Sequence, residues 1–223
     1  AQLGDAHAAK LFDYRSFHEN WKIDAYFNFF PLEYVYKFYP KKYKYKVITG
    51  WLERSLYDNL KPFKERRQDQ ILNSGAVANM KLKSRLVSKL IKSKYLDPLK
   101  FYKLRTLCNE LSYVDYTSTL QHEYIGDKYS KLLEQYTCAI AASTNVYAPK
   151  YFEIPAAGCT TFMEVTDQNY AMHLGFIDNE NSIFINEKNY KIKFEEYLDD
   201  KNNPKWGKIA ENGRRHALTN FNN

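Results

Sequence analysis

The sequence predicts an α/β fold in which helices flank a parallel sheet, and three observations carry that prediction. Residues 138–142, Cys-Ala-Ile-Ala-Ala, and 159–163, Cys-Thr-Thr-Phe-Met, are short apolar runs. Runs of this length without polar alternation suit strands buried on both faces. Between them lie a polar loop, residues 143–149, and a short helical segment opening at Lys150. Strand, loop, helix and strand in that order form the crossover that builds parallel sheets. Finally, the spacing of Leu82, Leu86, Val87 and Leu90 predicts an amphipathic helix over 81–91, so helices and short strands alternate along the chain.

The other elements follow in order. Residues 21–31 read as a strand ending in a Pro31 turn, and 32–39 as a short helix closed by Pro40. A basic aromatic run, 41–46, leads into a strand at 47–49. Residues 70–75 are a strand running into Ser74-Gly75; one glycine falls far short of a dinucleotide fingerprint, so no NAD site is implied. Residues 99–111 read as a helix and 113–116 as a strand, and Asp127 as the N-cap of a helix over 128–135. A helix is expected to start at Thr166-Asp167, a strand at 183–186, and helices at 190–198 and 206–218.

Composition narrows the classes. The chain has 223 residues, 44% of them hydrophobic and 26% charged, which describes a globular protein with a core. The net charge of +7 suits a nucleotide diphosphate, an anionic membrane surface or a nucleic acid. The lysine and tyrosine run reads as a nucleic-acid patch or as an edge strand protected by lysines, and the second reading carries more weight. Three widely spaced cysteines show no zinc spacing and no disulfide framework, which points to a reducing compartment. No apolar run is long enough to span a bilayer, and no signal peptide opens the chain. The opening Ala-Gln-Leu-Gly, without Met, leads us to expect a fragment of a longer enzyme.

Residues for chemistry gather around the crossover. The loop at the carboxyl end of a parallel strand is where open α/β sheets bind ligands, and unpaired N–H groups at a helix start favour phosphate. Glu153 falls one turn into the helix, where a carboxylate can accept two hydrogen bonds from a vicinal diol such as a ribose. Lys150 places a cation beside the same loop. Lys81, Lys83 and Arg85 stand in the first turns of the 81–91 helix, where they oppose the macrodipole; a bound diphosphate would resolve that conflict. Asp5 and His7 are weak candidates for an acceptor or catalytic site.

Glu153-Ile154-Pro155-Ala156-Ala157-Gly158 followed by an apolar strand resembles the nucleotide-sugar site of GT-B glycosyltransferases. The longer stretch from Lys150 resembles the branch related to the spore-maturation-type enzymes. Gly126, Tyr129, Leu132 and Leu133 match a segment that precedes that site in the family. Residues 175–181 and the ending Ile-Ala-Glu-Asn-Gly-Arg-Arg-His-Ala-Leu at 209–218 are similar as well, so the resemblance covers about residues 67–220.

The resemblance implies a Rossmann-like donor-binding domain, the C-terminal half of a GT-B fold, at 67–223. Residues 1–66 would then be the tail of an acceptor-side domain plus linker. It implies a hexosyltransferase-type enzyme that moves a sugar from a nucleotide-activated donor to a hydroxyl of a glycan or other acceptor. Glu153 would hold the donor ribose, and Lys150, Ser143, Thr144, Asn145, Gly75, Lys83, Arg85 and His122 would line the donor. Many relatives carry a second Glu eight residues before the first; here Asn145 stands there. Catalytic groups facing the acceptor would come from the first domain and are not assigned. The resemblance implies no metal and no cofactor beyond the donor, a cytoplasmic location and no nucleic-acid partner, and it leaves a peripheral membrane contact open. The competing readings are a non-catalytic nucleotide-binding module and a basic nucleic-acid-binding module.

Overall fold

A computed structural model describes residues 14–37, 39–48, 52–78, 98–117 and 123–222. The expected 81–91 helix with Lys83 and Arg85, together with Asp5, His7 and His122, lies outside the described residues.

The first unit holds α1 (Tyr14–Trp21), β1 (Tyr26–Asn28), α2 (Leu32–Val35) and β2 (Tyr45–Val47). The two strands pair in parallel, Tyr26 opposite Tyr45 and Asn28 opposite Val47. Strand alternation sends Tyr26, Asn28 and Tyr43 inward and Phe27, Lys44 and Lys46 outward. The strand expected at 21–31 is therefore shorter than its apolar run. Trp21 closes a helix instead, because His18 stacks on Tyr43 at 3.8 Å and on Tyr26 at 5.9 Å. That aromatic packing outweighs local strand preference. The second strand starts inside the lysine and tyrosine run, two residues before the expected 47–49.

A linker with two 3₁₀ turns, Arg54–Tyr57 and Phe63–Glu65, leads to the main domain. There β3 (Ile71–Ser74), β4 (Val114–Thr117), β5 (Cys138–Ala141), β6 (Thr160–Glu164) and β7 (Ile183–Ile185) form one parallel sheet in the order β4-β3-β5-β6-β7. The helices are α3 (Pro98–Cys108), α4 (Tyr129–Leu133), α5 (Lys150–Ala156), α6 (Tyr190–Asp199) and α7 (Pro204–Asn220). Successive residues of each strand feed opposite cores. Leu72, Ala139, Ala141 and Met163 pack with Leu132, Leu133, Tyr151, Ile154 and Ala217 of α4, α5 and α7. Ile71, Cys138, Ile140 and Phe162 pack with Leu104, Phe194, Tyr197 and Trp206 of α3, α6 and the start of α7. Burial on both faces is what a parallel sheet requires.

Two local expectations are corrected. No helix starts at Thr166-Asp167: Thr166 N–H donates to Asn169 Oδ1 at 3.1 Å and Asn169 N–H to Thr166 Oγ1 at 3.2 Å, a reciprocal turn that competes with helix. A 3₁₀ turn follows only at Ala171–Leu174. Asp127 does not cap α4 either; it lies within a 3₁₀ turn, Gly126–Lys128, that runs straight into the helix. Among the described residues no helix is long and apolar enough to cross a membrane.

Candidate functional site

The strand order sets the place. From β3 the chain goes to β4 on one side, then crosses to β5 on the other, so the direction of winding reverses between β3 and β5. Outside the carboxyl ends of strands at such a switch point, open α/β sheets hold ligands. Here that crevice lies between Ser74, which ends β3, and the loop that follows β5.

Lys150, the first residue of α5, spans the crevice. Its Nζ donates to the Ser74 carbonyl and lies 3.4 Å from Ser74 Oγ. Arg105, from the buried side of α3, donates to the same carbonyl at 3.2 Å and has its guanidinium 4.3 Å from the Tyr102 ring centre. Two cations thus share one neutral acceptor. Burial holds the Lys150 ammonium well below its usual range, and Arg105 beside it pushes the same way, while Glu153 opposes. Arg105 Nε is buried without a protein partner among the described residues. Two donors thus converge on one carbonyl, with Glu153 acting on Lys150 and Glu164 on Arg105, and an anion placed here would accept from both.

Glu153 stands one turn into α5, as its position in the sequence predicts. It is half-buried, and desolvation pushes its carboxyl up to about 7 from an ordinary 4.5, with Lys150 pulling it down. Tyr57 of the linker and Tyr129 of α4 close around it: burial first, then the Glu153 charge, raises both phenols. Tyr129 OH is also 2.6 Å from Ser74 Oγ, which ties α4 to the end of β3.

The loop before α5 is less open than its sequence suggests. Ser143 N–H donates to Tyr151 OH at 3.1 Å, and Thr144 N–H to the Phe101 carbonyl at 2.9 Å. Asn145 Oδ1 accepts from Gln168 Nε2 at 2.6 Å. Tyr151, Phe152 and Glu153 N–H groups already bond the carbonyls of Ala148 and Pro149. Gly75, at φ +102°, gives its N–H to Thr117. Most amides of this loop and helix start are thus bonded within the protein. These amides complete turns and ladders, and the charged side chains are left to meet an anion.

Asn169 fixes the loop from the far side. Its Nδ2 faces the carbonyls of Ser143 (3.0 Å) and Glu164 (2.7 Å) and Tyr151 OH (3.2 Å). Its Oδ1 accepts from Thr166 and Ala171 N–H groups. Glu164, at the end of β6, is buried with Oε2 unpartnered among the described residues, and desolvation raises its carboxyl to about 7.

Of the residues singled out in the sequence, the crevice brings together Lys150 and Glu153, with Ser143 and Thr144 in its wall. Arg105, Tyr57 and Asn169 were missed, and Tyr129 was singled out only as part of the 126–133 segment that resembles the family. Arg105 carried a readable signal: it lies four residues after Phe101 and three before Cys108, on the face of α3 that has to be buried. Asn169, in a polar turn, carried none. Among the described residues no group of three His, Cys, Asp or Glu side chains is placed to hold a metal ion.

No protein-family model matches this sequence, and no curated protein does. Solved structures do. Sucrose-phosphate synthase from Thermosynechococcus elongatus aligns over 99% of this chain and 63% of its own, with a TM-score of 0.56 and 11% identity. HepE of Anabaena, solved in complex with UDP and glucose, aligns over 99% of this chain and 67% of its own, with a TM-score of 0.59 and 13% identity. A glycosyltransferase from Rickettsia africae aligns over the full chain and 64% of its own, with a TM-score of 0.55 and 16% identity. The chain thus spans about two thirds of the length of these structures. The likeness shows the fold: a GT-B arrangement, in agreement with the resemblance read from residues 150–158.

Proposed function

We propose that this chain binds the nucleotide-activated sugar of a glycosyltransferase and takes part in transferring that sugar to a hydroxyl acceptor. The observation that carries this reading is the pair Lys150 and Arg105 on one carbonyl at the switch point, next to the half-buried Glu153. In glycosyl transfer the bond from the anomeric carbon to the diphosphate oxygen breaks, and the diphosphate leaves with the electron pair. Lys150 and Arg105 are placed to meet that growing charge in a site of low polarity, where it counts most. Glu153 as a carboxylate accepts from the two ribose hydroxyls. The HepE structure holding UDP and glucose supports a nucleotide-sugar of this kind.

Isothermal titration of UDP, GDP, ADP and the matching nucleosides tests the reading. One diphosphate should bind, its nucleoside at least about tenfold more weakly, and Lys150→Gln should erase most of that difference, since hydrogen bonds to charged groups are worth about 1.5–3 kcal/mol. A protein that binds none of these, or binds nucleoside and diphosphate equally, is not a donor-binding enzyme.

A further inference from the structure

Residues 101–105 of α3 lie across the carboxyl ends of the sheet. Arg105 donates to the Ser74 carbonyl at the end of β3. The Phe101 carbonyl accepts from Thr144 N–H, in the loop after β5, at 2.9 Å. Lys103 pairs with Glu187, which follows β7, at 2.5 Å. Strand β6 runs between β5 and β7. Its last residue, Glu164, shares a face with Phe162, and that face packs on Leu104 of α3. Glu164 is only 4% exposed there.

The structural bonds of this residue come from its backbone. Its carbonyl accepts from Tyr151 OH at 3.0 Å and from Asn169 Nδ2 at 2.7 Å. The side chain has no such account. Among the described residues, Glu164 Oε2 and Arg105 Nε are both buried without a partner, and no ion pair joins the two side chains. Unpaired polar atoms of this kind are costly to bury. Burial works against both charges, and each charge partly supports the other through the low-dielectric interior. Three further groups of α5, α3 and the loops face the carboxyl. Ser143 N–H favours its charged form, and Glu187 opposes it although paired with Lys103. The Cys108 thiol and Tyr151 phenol are raised by burial first and by the Glu164 charge next, so both stay neutral. The balance leaves the Glu164 carboxyl at about 7.

We propose that Glu164 is a positioning residue that sets, through Arg105, how tightly the crevice holds an anion. Ionised, it offsets the guanidinium and repels the ligand; protonated, it leaves the charge of Arg105 to the ligand. Anion binding then draws a proton onto Glu164, and affinity falls as pH rises through 7. The proposal rests on the reading of Lys150 and Arg105 as an anion site.

Isothermal titration of inorganic pyrophosphate and of UDP into the full chain and into Glu164→Gln, at pH 5.5 and pH 8.5, tests it. The amide stands in for the protonated acid. At pH 8.5 Glu164→Gln should bind each ligand about fivefold more tightly than the wild type, and at pH 5.5 the two proteins should bind equally. Ligand ionisation and the Glu153 carboxyl are common to both proteins and cancel in that ratio. A merely structural role predicts the opposite, weaker binding by the variant at both values. Glu164→Met serves where the amide impairs folding, with thermal melts checked for each variant. Equal affinities at pH 8.5, weaker binding by the variant, or a gain that persists unchanged at pH 5.5 overturns the proposal and leaves the anion site standing. Absence of pyrophosphate and UDP binding to either protein overturns the anion site itself, and this proposal with it.

Discussion

Burial of Glu153 costs stability once its carboxyl ionises. Its carboxyl rises from 4.5 to about 7 on folding, so between these values the folded chain holds more protons than the unfolded one. The Glu153 contribution is then unpenalised below about pH 4.5 and becomes a cost as pH rises through 7. Glu153→Gln should raise unfolding free energy by about 3 kcal/mol at pH 8 and leave it unchanged at pH 4, read by urea titration at both values. The same substitution should weaken binding of a ribonucleoside diphosphate by one to two decades, yet cost much less for its 2′,3′-dideoxy analogue. A variant that gains no stability at pH 8 would show that Glu153 is better solvated than its surroundings imply. At this scale the sequence was informative where spacing fixes direction: Glu153 and Lys150 follow from the helix start. Its ionisation was not legible, because Tyr57 and Tyr129 arrive from segments 96 and 24 residues away.

Among the elements, α5 shows how a short segment is held in place. Pro155 cannot donate within the helix, so the segment ends within one turn, and Gly158 reverses the chain at φ +72°. Arg66 of the linker then binds the carbonyls of Ala157 at 2.8 Å and Gly158 at 3.4 Å. Gly158→Ala should cost about 1–2 kcal/mol from the left-handed backbone alone. On α7, a Cβ at Gly213 would stand 2.5 Å from the Asn181 carbonyl, so helix or loop has to move. Gly213→Ala should cost about 1–3 kcal/mol by overpacking. Urea midpoints for the two variants check both, and a wild-type midpoint for Gly213→Ala would mean that α7 shifts freely. The central strands β5 and β6 were legible because burial on both faces favours short apolar runs, whereas the edge strand β4 is half-buried and carries Asp115. The helix expected at Thr166 was not, since a reciprocal side-chain bond decided that turn.

Across the whole molecule, one core runs from the first unit into the main domain: Tyr26, Phe30 and Tyr34 belong to the same buried cluster as Tyr147, Tyr151 and Phe221. Aromatic contacts therefore join the segment before residue 66 to the main domain. Amide exchange in urea should therefore expose β1 and β2 at the same concentration as β5 and β6, and earlier exposure of the first pair would show that the unit opens on its own. The tail of α7 carries this continuity back to the linker, with Leu52 N–H donating to the Phe221 carbonyl at 2.8 Å and Arg214 to the Tyr57 carbonyl at 2.7 Å. That contact closes a loop of about 170 residues, and closing so long a loop is entropically costly until the sheet has drawn its ends together. During synthesis, Leu52 leaves the ribosome long before Phe221 exists. The linker must wait for its partner, and the clasp between residues 52 and 221 is expected to be the last contact to form and the slowest to refold.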